Sequence, residues 1–188
     1  GRLETYTRLE YLRDVQYPAQ LDQFKRMIAA YQALAQADEA RGKQLRNTIF
    51  SLENTQKAIT GYRAGLLDPA LMGRKKAWEA EFTAAVNAKP ELKQNYGGAW
   101  KAIAEVTARR KAIDVRRRYH TGNAYGSRLM QLALGTVRYP AEMAKPDADR
   151  LPSYQEANKA GLERALFTDA PIDLVQEKAL LTAFFTAM

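Results

Sequence analysis

Residues 47–69 read NTIFSLENTQKAITGYRAGLLDP, and at helical spacing this stretch has two unlike faces. Leu45, Ile49, Leu52, Ile59, Tyr62 and Leu66 recur at steps of three, four and seven and make one apolar stripe. Asn47, Ser51, Asn54, Ala58, Gly61 and Gly65 form a second stripe that is small and polar. Two readings of that second face are open. It packs closely on another helix, with Asn47 and Asn54 as interhelix hydrogen-bonders, or it presents carboxamides to a ligand lying across it. Residue chemistry alone favours packing. Each glycine costs about 1 kcal/mol against alanine inside a helix, so something beyond local propensity is expected to hold Gly61 and Gly65. Asp68-Pro69 then restarts the chain, with Asp as N-cap and Pro at the first helical position.

On either side of that stretch, apolar positions at helical spacing cover nearly the whole chain. Residues 3–15 predict a short helix ended by Tyr17-Pro18, because the residue before proline avoids the α region. A long helix from Pro18 turns Leu21, Phe24, Ile28, Tyr31 and Leu34/Ala35 inward, and its pattern fades over 37–42. Residues 70–88 place Leu71, Lys75, Trp78, Phe82 and Val86 on one stripe. From Pro90 the stripe is Leu92, Tyr96, Trp100, Ile103, Val106 and Ile113, with a kink or crowded crossing expected at Gly97-Gly98. Thr121-Gly122-Asn123 reads as a C-terminal cap. Residues 124–145, with a break or kink at Pro140, then 151–167 and 172–185 complete the set. No stretch alternates with period two, and no hairpin turn pair occurs. The fold class is all-α: an irregular multi-helix bundle with long helices, read as a single domain over 1–188.

The last segment, LVQEKALLTAFFTAM, is apolar on two faces and ends without a cap. Leu174, Leu180, Leu181, Phe184 and Phe185 would be an aggregation liability if exposed, so a partner or further chain is expected there.

The 188 residues are enough for one domain with a sizeable core, and 46% hydrophobic with 27% charged residues suits a folded chain. No apolar run approaches the length of a membrane span. Cysteine is absent, which excludes disulfides and thiolate metal sites. The net charge of +8 brings anionic partners into consideration, with Arg109–Lys111 and Arg116–Arg118 as the main clusters. Glu105 and Asp114 interrupt that run, and the arginines fall around the helix, so a solvated or salt-bridged face is the simpler reading.

The catalytic inventory is thin. His120 is the one histidine, which rules out a histidine pair for zinc, and nothing resembles a strained nucleophile turn. A helix-terminal role near free carbonyls suits it better. No phosphate-cradling glycine loop is present, and pairs such as Asp38/Glu39, Glu79/Glu81 and Asp147/Asp149 have the spacing of solvated surface charges. Neither a catalytic group, a cofactor nor a metal is expected in this chain.

Two long blocks carry a family resemblance. The first, FSLENTQKAITGYRAGLLDPALMGRK, centres on Asn54, Lys57, Ala58, Gly61, Gly65, Leu66, Asp68 and Pro69. The second, LALGTVRYPAEMAKPDADRLPSYQEANKAGLERALFTDAPI, centres on Arg138, Tyr139, Ala141, Glu142, Lys145, Pro146, Arg150, Leu151 and Tyr154. With RLETYTRLEYLRDVQYP at the start, the chain resembles the α-helical domain of bacterial dipeptidyl peptidases 7 and 11, chymotrypsin-clan serine exopeptidases.

The resemblance implies a division of labour. In that family a double β-barrel carries the catalytic His, Asp and Ser, and the helical domain is inserted as a cap over the cleft. This chain then corresponds to the cap without the catalyst, a part of a larger inserted domain that continues past Met188. An asparagine of the helical domain helps hold the substrate's terminal ammonium, and Asn54 is the best match, with Asn47 second. The implied partners are peptides with a free N-terminus and the barrel of the same parent chain, in an exported or periplasmic and homodimeric enzyme. The choice between acidic and bulky apolar substrate side chains belongs to the barrel. The competing readings are a basic helical module for nucleic acid or another polyanion, and a helical scaffold for protein partners.

Overall fold

A computed structural model describes residues 4–120 and 124–187. Every regular element among them is helical, so the all-α class holds. The chain divides into two compact units, Gly1–Arg117 and Arg118–Met188.

In the first unit, α1 (Tyr6–Tyr11) starts on Thr5, whose hydroxyl accepts the amide of Arg8 at 3.2 Å. The helix does not stop before Pro18. It widens into a π-helix over Leu12–Gln16 and narrows again into α2 (Tyr17–Ala37). Proline removes one amide and crowds the preceding turn, and the wider π turn accommodates both, so the expected break becomes a change of helical pitch. Asp38 then leaves the helical region, accepts the amide of Arg41 at 3.1 Å, and caps α3 (Glu39–Leu67).

Helix α2 lies along α3, with Ile28 and Tyr31 of the former and Leu45 and Ile59 of the latter buried. The close approach is made possible by Gly42, where a Cβ would stand 2.9 Å from the carbonyl oxygen of Ala35. Tyr62, expected on the buried stripe, is instead 62% exposed and only flanked by the ring of Tyr17.

Asp68 caps α4 (Pro69–Asn87), its carboxylate accepting the amide of Ala70 at 2.8 Å. On α4 the buried side chains are Met72 and Val86, while Trp78 and Phe82 stack at the surface. Glu79 is not the solvated charge its spacing suggested: its carboxylate accepts the amide of Tyr6 at 2.6 Å and ties α4 to the start of α1. Helix α5 (Pro90–Tyr96) ends in a turn at Gly97-Gly98, and α6 (Ala99–His120) follows. The expected stripe of α6 is not a core stripe, because Ile103, Val106 and Ile113 are all exposed.

In the second unit, a turn over Ala124–Gly126, with Tyr125 and Gly126 at positive φ, leads into α7 (Arg128–Met143). Ser127 caps that helix, and Pro140 is carried inside it without a break in the helical assignment. Two 3-10 turns, Asp147–Asp149 and Pro152–Tyr154, precede α8 (Glu156–Leu166). Helix α9 (Leu174–Phe185) is capped by Asp173 and buries Glu177, Leu180 and Phe184, while Leu174 and Phe185 stay exposed. Leu3, the Thr121–Asn123 cap and Met188 lie outside the described residues. No helix among the described residues is long and apolar enough to cross a membrane.

Candidate functional site

The α3 face bearing Asn47 and Asn54 is built by what happens on its opposite side. Leu45 and Ile59 are drawn into the contact with α2, and this fixes the rotation of α3 about its axis. Asn47, Ser51, Asn54, Ala58 and Gly61 consequently point into solvent. Asn47 and Asn54 stand seven residues apart, which is about 10 Å of rise and nearly the same direction on a helix.

Neither carboxamide makes a hydrogen bond to another residue among the described ones, and open space lies above Gly61. Gly65 meets only the end of the Leu71 side chain, at 4.0 Å. The close packing that sequence reasoning favoured for this face is therefore not present in the unit. A free carboxamide offers one accepting oxygen and two N–H donors, a set suited to an ammonium or to a peptide backbone.

Sequence reading missed Phe50, which sits between the two asparagines and is 63% exposed. Its position three residues after Asn47 and four before Asn54 was visible in the sequence. Its exposure was not, because an aromatic at helical spacing ordinarily reads as core.

A second concave feature lies on the same unit. A groove of about 270 Å³ runs between the α1–π-helix segment, through Glu10, Asp14 and Val15, and the α6 side chains Ala104, Ala108 and Lys111. Arg13 donates two hydrogen bonds of 2.7 Å to Asp14, and this holds the Asp14 carboxyl below its ordinary range, with the nearby Lys111 charge acting the same way. The Asp14 charge is thus already paired with Arg13, and the groove offers few uncommitted charges.

The basic run of α6 is not a uniform strip. Arg109 and Arg116 are exposed, but the Arg110 guanidinium lies 5.5 Å from the Tyr11 ring centroid and donates to the Tyr11 hydroxyl at 3.2 Å. Asp114, which the sequence showed only as an interruption of the run, is buried and accepts the Tyr11 hydroxyl at 2.8 Å. His120 is exposed at the C-terminal end of α6. No cluster of three potential metal ligands occurs among the described residues.

The family model described as Peptidase S46 matches residues 1–188. A curated relative, an Asp/Glu-specific dipeptidyl-peptidase of Shewanella putrefaciens, is 28% identical over 160 residues. The match covers 85% of this chain and 21% of the relative, so the chain spans about a fifth of the length of that relative. No solved structure matches the chain.

Proposed function

This chain belongs to the peptidase S46 family, and on that premise we propose that it is the substrate-capping helical part of an exported bacterial serine dipeptidyl peptidase. In this reading 1–188 acts as one functional domain. It covers the cleft of a catalytic β-barrel carried by the same parent chain and takes no part in bond breaking itself. Its substrates are peptides with a free N-terminus, and its task is to close the end of the cleft so that dipeptides are released.

The observation that carries the proposal is Asn54, a carboxamide on the outward face of α3 with no intramolecular hydrogen bond among the described residues. Its oxygen is free to accept from an α-ammonium, and Asn47 supplies a second carboxamide two turns away. The relative's description as a dipeptidyl-peptidase supports the same substrate end. The open space at Gly61 agrees with a face that something outside this unit approaches.

The test is Asn54→Ala in the full-length enzyme, assayed on substrates with a free N-terminus. Losing a hydrogen bond to a charged group is expected to lower kcat/KM by the equivalent of about 1.5–3 kcal/mol. Unchanged kinetics would remove Asn54 from the site.

A further inference from the structure

Helix α6 is attached to its unit in an unusual way. A 22-residue helix of a globular unit ordinarily buries an apolar stripe, yet the one buried residue of α6 is an aspartate, Asp114, at 3% exposure. Ile103, Val106 and Ile113, the positions that should form the stripe, face solvent.

Among the described residues, two contacts anchor the helix within Gly1–Arg117. Near its start, Trp100 leans on Phe82 of α4 with ring centroids 5.6 Å apart. Towards its other end, the Tyr11 hydroxyl donates to Asp114 at 2.8 Å, with Arg110 donating to the same hydroxyl at 3.2 Å. Between the anchors, the groove of about 270 Å³ separates the helix from α1 and the π-helical segment. No close-packed seam resists its displacement there.

We propose that α6 is a releasable strap, latched to α1 by the Tyr11–Asp114 hydrogen bond and pivoting at Gly97-Gly98. The physical basis is the difference between a polar pin and an apolar seam. On release, the Asp114 carboxylate and the Tyr11 hydroxyl exchange each other for water, so much of the lost interaction is recovered. Separating an apolar seam has no such compensation. Little apolar surface of α6 is newly wetted, because Ile103, Val106, Ile113 and Val115 are already exposed. At the pivot a Cβ on Gly98 would meet nothing within 4 Å, whereas one on Gly97 would stand 2.6 Å from the Lys93 carbonyl oxygen, so the turning falls at Gly98. An element with few buried apolar contacts belongs to the low-stability end of local opening. Opening widens the groove and uncovers the half-buried Val15, Ala104 and Thr107 that line it.

The inference is independent of the proposed capping role and is tested by amide hydrogen exchange on the full-length protein. Tyr11→Phe removes the latch oxygen and keeps the ring under Arg110. It is expected to speed exchange over 101–113 by about tenfold or more while 45–66 of α3 is unchanged. Asp114→Asn, which retains an acceptor for Tyr11, is expected to give a smaller acceleration in the same segment. If Tyr11→Phe leaves 101–113 unchanged, or speeds α3 and α6 equally, α6 is not separately releasable and the proposal is overturned.

Discussion

Ser127 and Glu177 meet as two buried polar side chains, the hydroxyl of the first donating to the carboxylate of the second. Glu177 also accepts the amides of Arg128 at 2.7 Å and Leu129 at 3.2 Å, while the Ser127 oxygen accepts the amide of Met130 at 3.1 Å. Glu177 from α9 and Ser127 together therefore cover the open N-terminus of α7, where three partly buried amides and the positive end of the helix dipole would otherwise lack partners.

The first prediction concerns this cap. Glu177→Ala leaves two amides and a hydroxyl without their acceptor, and is expected to cost about 3 kcal/mol or more, since each unsatisfied buried group costs about 1–3 kcal/mol. Glu177→Gln, which keeps one accepting oxygen, should lose less. Urea titration of both variants checks the order, and equal stability of Glu177→Ala and the unmodified protein would refute the capping role.

Two glycines of α3 should respond in opposite directions. At Gly42 a Cβ would meet a backbone carbonyl at 2.9 Å, so Gly42→Ala must push α2 and α3 apart. Overpacking of about 1–3 kcal/mol should outweigh the gain of about 1 kcal/mol in helix propensity. At Gly61 nothing is met, so Gly61→Ala should stabilise by about 0.5–1 kcal/mol. If the α3 face receives peptide as proposed, the same Gly61→Ala protein should also show a raised KM. Thermal melts and steady-state kinetics measured together separate the two effects.

Acid sensitivity is expected at Glu142. Its buried carboxylate takes a 2.6 Å hydrogen bond from Lys145 and a 2.8 Å bond from the Leu151 amide, which hold it below the ordinary glutamate range. A group depressed in the folded state stabilises fully above its unfolded value, about pH 4.3, and loses that contribution as the pH falls through its lower folded value. The unfolding midpoint should therefore drop below about pH 4.3 in the unmodified protein and drop less in Glu142→Gln. Parallel profiles from pH 6 to 3 would count against it.

The two carboxamides should not be equivalent. Asn54→Ala is expected to lower kcat/KM for free-amine substrates by about tenfold to a hundredfold, in line with a charge-assisted hydrogen bond. Asn47, the second choice, should show a smaller loss when replaced by alanine. A larger loss at Asn47 than at Asn54 would transfer the ammonium-binding role to Asn47.

What the sequence determined by itself is whatever its neighbours along the chain decide. Asp68-Pro69 had to cap and start a helix because the carboxylate, the fixed proline φ and the first amides all lie within a few residues. The same local physics set the all-α class and the shared direction of Asn47 and Asn54. Tertiary structure alone decided which faces are covered. Periodicity marked Tyr62, Ile103 and Val106 as inward, but a stripe does not reveal how far a neighbouring helix covers it, and all three stay exposed, Tyr62 even though α2 lies along other positions of its stripe. It also decided the fate of the carboxylates. Glu79, Asp114 and Glu177 look like ordinary surface charges in sequence, yet each meets a donor 48 to 103 positions away, at Tyr6, Tyr11 and the start of α7. A buried polar group is specified by its distant partner, because only that partner repays the loss of water, and spacing along the chain carries no record of it.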